Sequence, residues 1–134
     1  MIQRKQTLHL FLSLISTAFY LYVLPYYVSV EMKGILAIEK PALLIPSILS
    51  MILTVVTIFS FKNLNRQRLL CLVNKWLILG LVAYTLYDLY QLGNQVYDSG
   101  FGVLALALSY VYVAFALSAI KKDKAKIDSI DRLR

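Results

Sequence analysis

The chain has 134 residues, of which 60% are hydrophobic and only 16% charged, with a net charge of +7 and a mean hydropathy of +0.69. A soluble domain carries roughly 45–50% apolar and about 25% charged residues, so this composition excludes an ordinary soluble globule and points to a membrane protein. One cysteine, Cys71, and one histidine, His9, exclude an internal disulfide, a CxxC redox or zinc cluster and a His-rich metal site.

Four apolar runs follow one another, at 7–30, 41–61, 69–92 and 101–120. Each holds about 20 residues, enough to cross roughly 30 Å of hydrocarbon as a helix. Their apolar residues fall all around the segment without alternation, which argues for helices over barrel strands. The expected fold is therefore an all-α integral membrane protein, a single domain of four transmembrane helices. Arg4 and Lys5 ahead of a short apolar core loosely imitate a signal peptide. The run continues through "FYLYVL" without a polar break, so an uncleaved first helix is expected.

Pro25 is expected to bend or end the first span, leaving "YYVSVEMKGILAIEK" as an irregular loop or a short surface element. Pro41 suits a first helical turn, and Pro46, about one turn deeper, should bend the second helix. Between spans two and three, "FKNLNRQRLLCLVNKW" carries Lys62, Arg66, Arg68 and Lys75 with no acid. Eleven Lys/Arg lie at the N-terminus, in the 61–69 connection and in the tail, against two, Lys33 and Lys40, in the other loops. The positive-inside rule then puts both termini and the 61–69 loop in the cytoplasm.

The third span contains Asp88, about one turn from its outer end. An aspartate at the membrane centre costs roughly 2.5–3.5 kcal/mol, and less near the interface, where Lys33 or Lys40 could pair with it. The tyrosines are crowded outward: Tyr20, Tyr22, Tyr26 and Tyr27 after the first span, and Tyr84, Tyr87 and Tyr90 in the third. An aromatic belt is the plain explanation, and a tyrosine-lined polar site at Asp88, with Tyr84 and Tyr87, is the sharper one. Lys75 should snorkel to the cytoplasmic interface beside Trp76. His9 reads as interfacial, and Cys71 as buried packing rather than an acylation site. In the fourth span Gly102, Ala105, Ser109 and Ala116 recur on one face. Small residues let helices approach in lipid, so this should be the most buried helix. Tyr110 and Tyr112, in mid-span, need partners for their hydroxyls.

The tail, "KKDKAKIDSIDRLR", carries six basic and three acidic residues, with Ile127, Ile130 and Leu133 as a narrow apolar stripe if the helix continues. Such a basic amphipathic extension fits anionic headgroups, at about 1 kcal/mol per basic residue, or a docking surface for a protein. No aromatic is present to stack on bases, which argues against nucleic acid. No GxSxG, HExxH, phosphate loop or carboxylate pair is present either, so no enzyme activity and no cofactor are expected.

"MIQRKQTL", "FKNLNRQRLLCLVNK" and "AIKKDKAKIDSIDRLR" together resemble a Bacteroidota family of small four-transmembrane proteins (domain of unknown function 4293) over the whole length. The residues that carry the likeness are Gln3 and Arg4, then Arg68, Cys71, Leu72 and Asn74, then Asp123, Ser129, Asp131, Arg132, Leu133 and Arg134. Here an extra leucine precedes the cysteine of the middle motif. The resemblance implies a multi-pass protein of the bacterial inner membrane and supplies no activity. It also suggests that the three cytoplasmic segments meet, with Arg4, Arg68 and Arg132 or Arg134 organised by Asp128 and Asp131. The candidate face for a partner or lipid is thus Arg4, Arg66, Arg68, Asn74, Lys75, Lys121, Lys122, Asp131, Arg132 and Arg134. Two functions fit: a structural or accessory membrane subunit using that face, or, alternatively, a small transporter or channel, alone or as a homo-oligomer, using Asp88.

Overall fold

Apolar residues without alternation build four long helices. In the computed structural model, which describes residues 2–133, α1 spans Ile2–Tyr22, α2 Pro41–Phe59, α3 Leu64–Leu92 and α4 Gly102–Arg132. Helix α1 packs on α2 and α4, and α3 packs on the same two, so the helices contact one another in cyclic order. Helix α2 opens with Pro41 at its first turn, where a missing N–H costs nothing, and runs unbroken through Pro46. Helix α3 is capped by Asn63, whose Oδ1 accepts the backbone N–H of Arg66 at 3.1 Å.

The distribution of polarity is inverted relative to a soluble protein. Buried between the helices are Ser13 and Thr17 of α1, Ser47, Ser50, Thr54 and Thr57 of α2, Asn74 and Thr85 of α3, and Ser109 of α4. Facing outward are bulky residues such as Phe11 and Phe19, Ile45 and Ile52, Trp76 and Leu86, and Leu104 and Phe115. Such an exterior would be costly in water and suits lipid, where helices associate through small residues and interhelical hydrogen bonds. Some α2 hydroxyls are satisfied by their own helix: Ser47 donates to the Leu43 carbonyl at 2.6 Å and Thr54 to that of Ser50 at 2.8 Å.

Helices α2, α3 and α4 are long and apolar enough to cross a membrane by length and composition. Helix α1 falls short of that measure, a departure from the four equivalent spans expected. The apolar run to residue 30 is not all helix: α1 stops at Tyr22, ahead of Pro25, and its remaining window carries Lys5, Gln6, Ser13 and Thr17. Of the three apolar helices, α4 is the most buried, with 39% of its apolar window inside the protein against 28% for α2 and for α3. Gly102, Ala105, Ser109 and Ala116 are all buried, whereas Ala107 and Ser118 are exposed. Helix α4 also does not stop at 120 but continues without a break to Arg132.

The segment after α1, expected as an irregular loop or a short surface element, takes the second form. It forms two short strands, β1 (Tyr27–Ser29) and β2 (Gly34–Ile35), and the α3–α4 connection supplies β3 (Val96–Ser99). The sheet order is β2-β1-β3, antiparallel throughout, with Tyr27 opposite both Ile35 and Ser99. Short strands centred on a proline-led segment carry little periodicity, which is why the sequence hid them. Gly100 closes this cap: its N–H donates to the Tyr26 carbonyl at 3.1 Å, and a β-carbon there would overlap the Pro25 carbonyl.

Candidate functional site

The basic end of the molecule is built by the starts of α1 and α3 and the end of α4. The Asn63 cap places Arg66 and Arg68 in the first two turns of α3, both exposed. Arg68 lines an open hollow of about 310 Å³ together with Lys121, Lys124 and Asp128 of α4. On the opposite side of α4, Lys5 and His9 of α1 face Phe115, Ser118, Lys122 and Lys126 across a groove of about 740 Å³. Between these two faces Asp123 is buried, and its carboxylate accepts a hydrogen bond from the buried Gln6 amide. The α4 extension is thus held against both α1 and α3 before it projects free.

The sequence-derived face is only partly one surface. Arg68 and Lys121 lie together, whereas Lys122 faces the α1 groove and Arg66 belongs to a separate hollow with Phe59, Lys62 and Asn63. Asp131 and Arg132 are exposed on the last turns of α4. Arg134 and the side chain of Arg4 lie outside the described residues. Asn74 does not belong to the face: it is fully buried, accepting from the Ser50 hydroxyl and donating to Thr54, each at 2.8 Å. Lys75 is half-buried, its Nζ 5.6 Å from the centre of the Tyr110 ring, a cation–π contact inside the helix layer. Cys71 is buried, its Sγ 3.6 Å from the Val113 carbonyl oxygen.

At the other end, Asp88 meets Lys40, one of the two lysines anticipated, at 2.6 Å. The Tyr26 hydroxyl donates to the same carboxylate oxygen at 3.1 Å, and the Lys40 ammonium lies 5.5 Å from the Tyr26 ring centre. Burial and then the Asp88 charge raise the Tyr26 hydroxyl well above the usual tyrosine range, so it remains a proton donor. Tyr20, deeper, shares a 3.0 Å hydrogen bond with Thr85. The tyrosines around Asp88 are therefore Tyr26 and Tyr20, not the expected pair. Tyr84 and Tyr87 are 42% and 58% exposed, and Tyr87 accepts from Gln91 instead. On α3, Thr85 is buried and Asp88 half-buried, whereas Tyr84 and Tyr87 lie to one side of them and are exposed. Tyr26 and Tyr27 also leave the proposed belt, since both are buried under the sheet.

A family model described as "Domain of unknown function (DUF4293)" matches residues 2–133. The chain belongs to this family. No curated protein and no solved structure matches it. Within this DUF4293 chain, the residues that sequence reasoning missed are the inward hydroxyls and amides. Ser13, Thr17 and Ser109 share hydrogen bonds of 2.8 Å between α1 and α4, and Gln67 donates to the Thr57 carbonyl at 3.3 Å. Their signal was present as polar residues repeating at helical spacing within apolar runs, notably Ser47, Ser50, Thr54 and Thr57. The hydroxyls pair with one another across α1 and α4, which helps to fix helix register, whereas the Gln67 Oε1 is buried with no hydrogen-bond partner among the described residues.

Proposed function

We propose that this protein is an accessory subunit of a bacterial inner membrane, with both termini cytoplasmic, that presents its basic end to a protein partner. The observation that carries the reading is the continuation of α4 beyond its last apolar turn. Residues 121–132 stay helical, project Ile127, Ile130 and Leu133 into solvent, and place Lys121, Lys124 and Asp128 beside Arg68 of α3. An exposed apolar stripe set among mixed charges offers a partner both area and orientation. Inside the helix layer, Ser13, Thr17 and Ser109, like Ser50, Thr54 and Asn74, bond to one another. Asp88 is occupied by Lys40 and Tyr26, which supports a clasp between the sheet cap and α3 over a transport site.

Solubilisation from native membranes in a mild detergent, followed by native mass measurement, tests this. A stoichiometric protein partner is expected, lost when Arg68→Glu and Ile130→Asp are combined. Recovery of the chain alone, or only with copies of itself, would sink the proposal.

A further inference from the structure

The two sides of α4 differ. The Arg68 side carries Asp128 among its bases, whereas the α1 side gathers Lys5, Lys122 and Lys126 around an apolar wall formed by Phe115. We infer that the α1–α4 groove holds the headgroup of an anionic phospholipid, its phosphate among Lys5, Lys122 and Lys126 and its acyl chains along Phe115. The inference rests on the membrane-spanning reading of α4.

Four observations lead there. The groove, at about 740 Å³, is large enough for a headgroup and the first part of its chains. It straddles the boundary of α4 where the apolar sequence gives way to charge, with Phe115 and Ser118 on one side of Ile120 and Lys122 and Lys126 on the other. That boundary is the depth at which a phospholipid phosphate lies. None of the three lysines has an ion-pair partner among the described residues, where Lys40–Asp88 is the ion pair formed. Finally, the Nδ1 atom of His9, on the groove wall and against the Phe115 ring at 5.7 Å, is buried with no hydrogen-bond partner among the described residues.

Asp123 also lines the groove, and its carboxylate opposes an anion. Its hydrogen bond from Gln6 directs it toward the helix contact, and three lysines outweigh it. Above Phe115, Val111, Leu108 and Leu104 continue outward at one-turn intervals and are all exposed, a track for an acyl chain. A soluble phosphate would have no use for that track, and lipid is the occupant that the polar and apolar halves fit together.

The test uses the full chain with Trp76→Phe and Phe115→Trp, reconstituted into phosphatidylcholine vesicles, with flotation as the check of membrane insertion. Brominated phosphatidylglycerol should quench the reporter in preference to brominated phosphatidylcholine. Each lysine-to-glutamine change at 5, 122 or 126 should lower that preference by up to about fivefold. Lys121→Gln with Lys124→Gln, on the opposite side of α4, should leave it unchanged. Equal quenching by the two lipids in floated vesicles overturns the inference while leaving the membrane reading intact. So does an equal effect of the Lys121 and Lys124 changes, which would mean diffuse surface charge. Displacement of the lipid by excess inorganic phosphate would overturn it in favour of a free-anion site. Failure to float would overturn both readings.

Discussion

At the scale of single residues, the decisive groups are those that have given up water. Asp88 and Lys40 keep 18% and 31% of their side-chain exposure, so their attraction is only partly screened. Asp88→Asn should lower stability by about 1 kcal/mol, and Lys40→Met should add little to it, because each change already removes the pair. Thermal unfolding in detergent of the two single variants and the double variant reads this coupling; full additivity would show that the pair contributes nothing. Asn74 makes a different case. Its amide bridges Ser50 and Thr54 across the α2–α3 contact, and Asn74→Leu leaves both hydroxyls without that partner. Interhelical bonds of this kind are worth about 0.6 kcal/mol on average and at most about 1.7 kcal/mol in a membrane protein, which sets the expected loss on the same scale. Gly100 permits no side chain at all. Gly100→Ala drives a methyl group into the Pro25 carbonyl and should cost about 3 kcal/mol, read as loss of folded protein on expression or as a lower unfolding midpoint.

At the scale of elements, the four helices were legible because their apolar residues are dense, long and unalternating, and Pro41 marked one of their starts; the start of α3 at Leu64, ahead of the apolar run from 69, was not read. The sheet cap was not, since strands of two to four residues take their stability from pairing across the chain and leave no period to read. The Asp88 partners were half legible. Lys40 could be named from the loop that faces it, but Tyr26 reaches the carboxylate only because β1 folds back over the helix ends. The same limit applies to Gln6 and Asp123: the family likeness drew attention to Asp123, but its pairing with Gln6 shows only once their helices are set side by side. The α4 extension was visible as an amphipathic option, and what decided it was the absence of any breaker between Ile120 and Arg132. Ala125→Pro should kink or end the helix there and cost about 3 kcal/mol of local helix stability while sparing the apolar part. Circular dichroism would register a loss of helix confined to roughly the last two turns, and partner capture should disappear with it.

At the scale of the whole molecule, polar stripes face inward and aromatic and branched side chains face outward, an arrangement that surrounding lipid would favour. The excess of Lys and Arg at one end is the basis for the proposed direction, with that end cytoplasmic. With the buried Cys71 changed to alanine, single cysteines at Ser99 and at Ser129 report that direction. An impermeant maleimide added to intact cells should label Ser99→Cys and leave Ser129→Cys unlabelled until the cells are opened. The reverse pattern would invert the molecule and remove the basis for a cytoplasmic partner.

Strand β1 follows the first helix, yet its partner β3 lies just ahead of the last, and the hydroxyls of Ser13 and Thr17 find Ser109 only across 96 and 92 positions of chain. The first helix to be synthesised therefore cannot complete its main contacts until the last has been made. During its manufacture on the ribosome the protein must wait with α1 unpartnered on its main contact face, and assembly becomes an event of the final moments of translation. A nascent chain halted before Gly102 would be an early target for quality-control proteases, and one released at full length would escape them together with its whole fold.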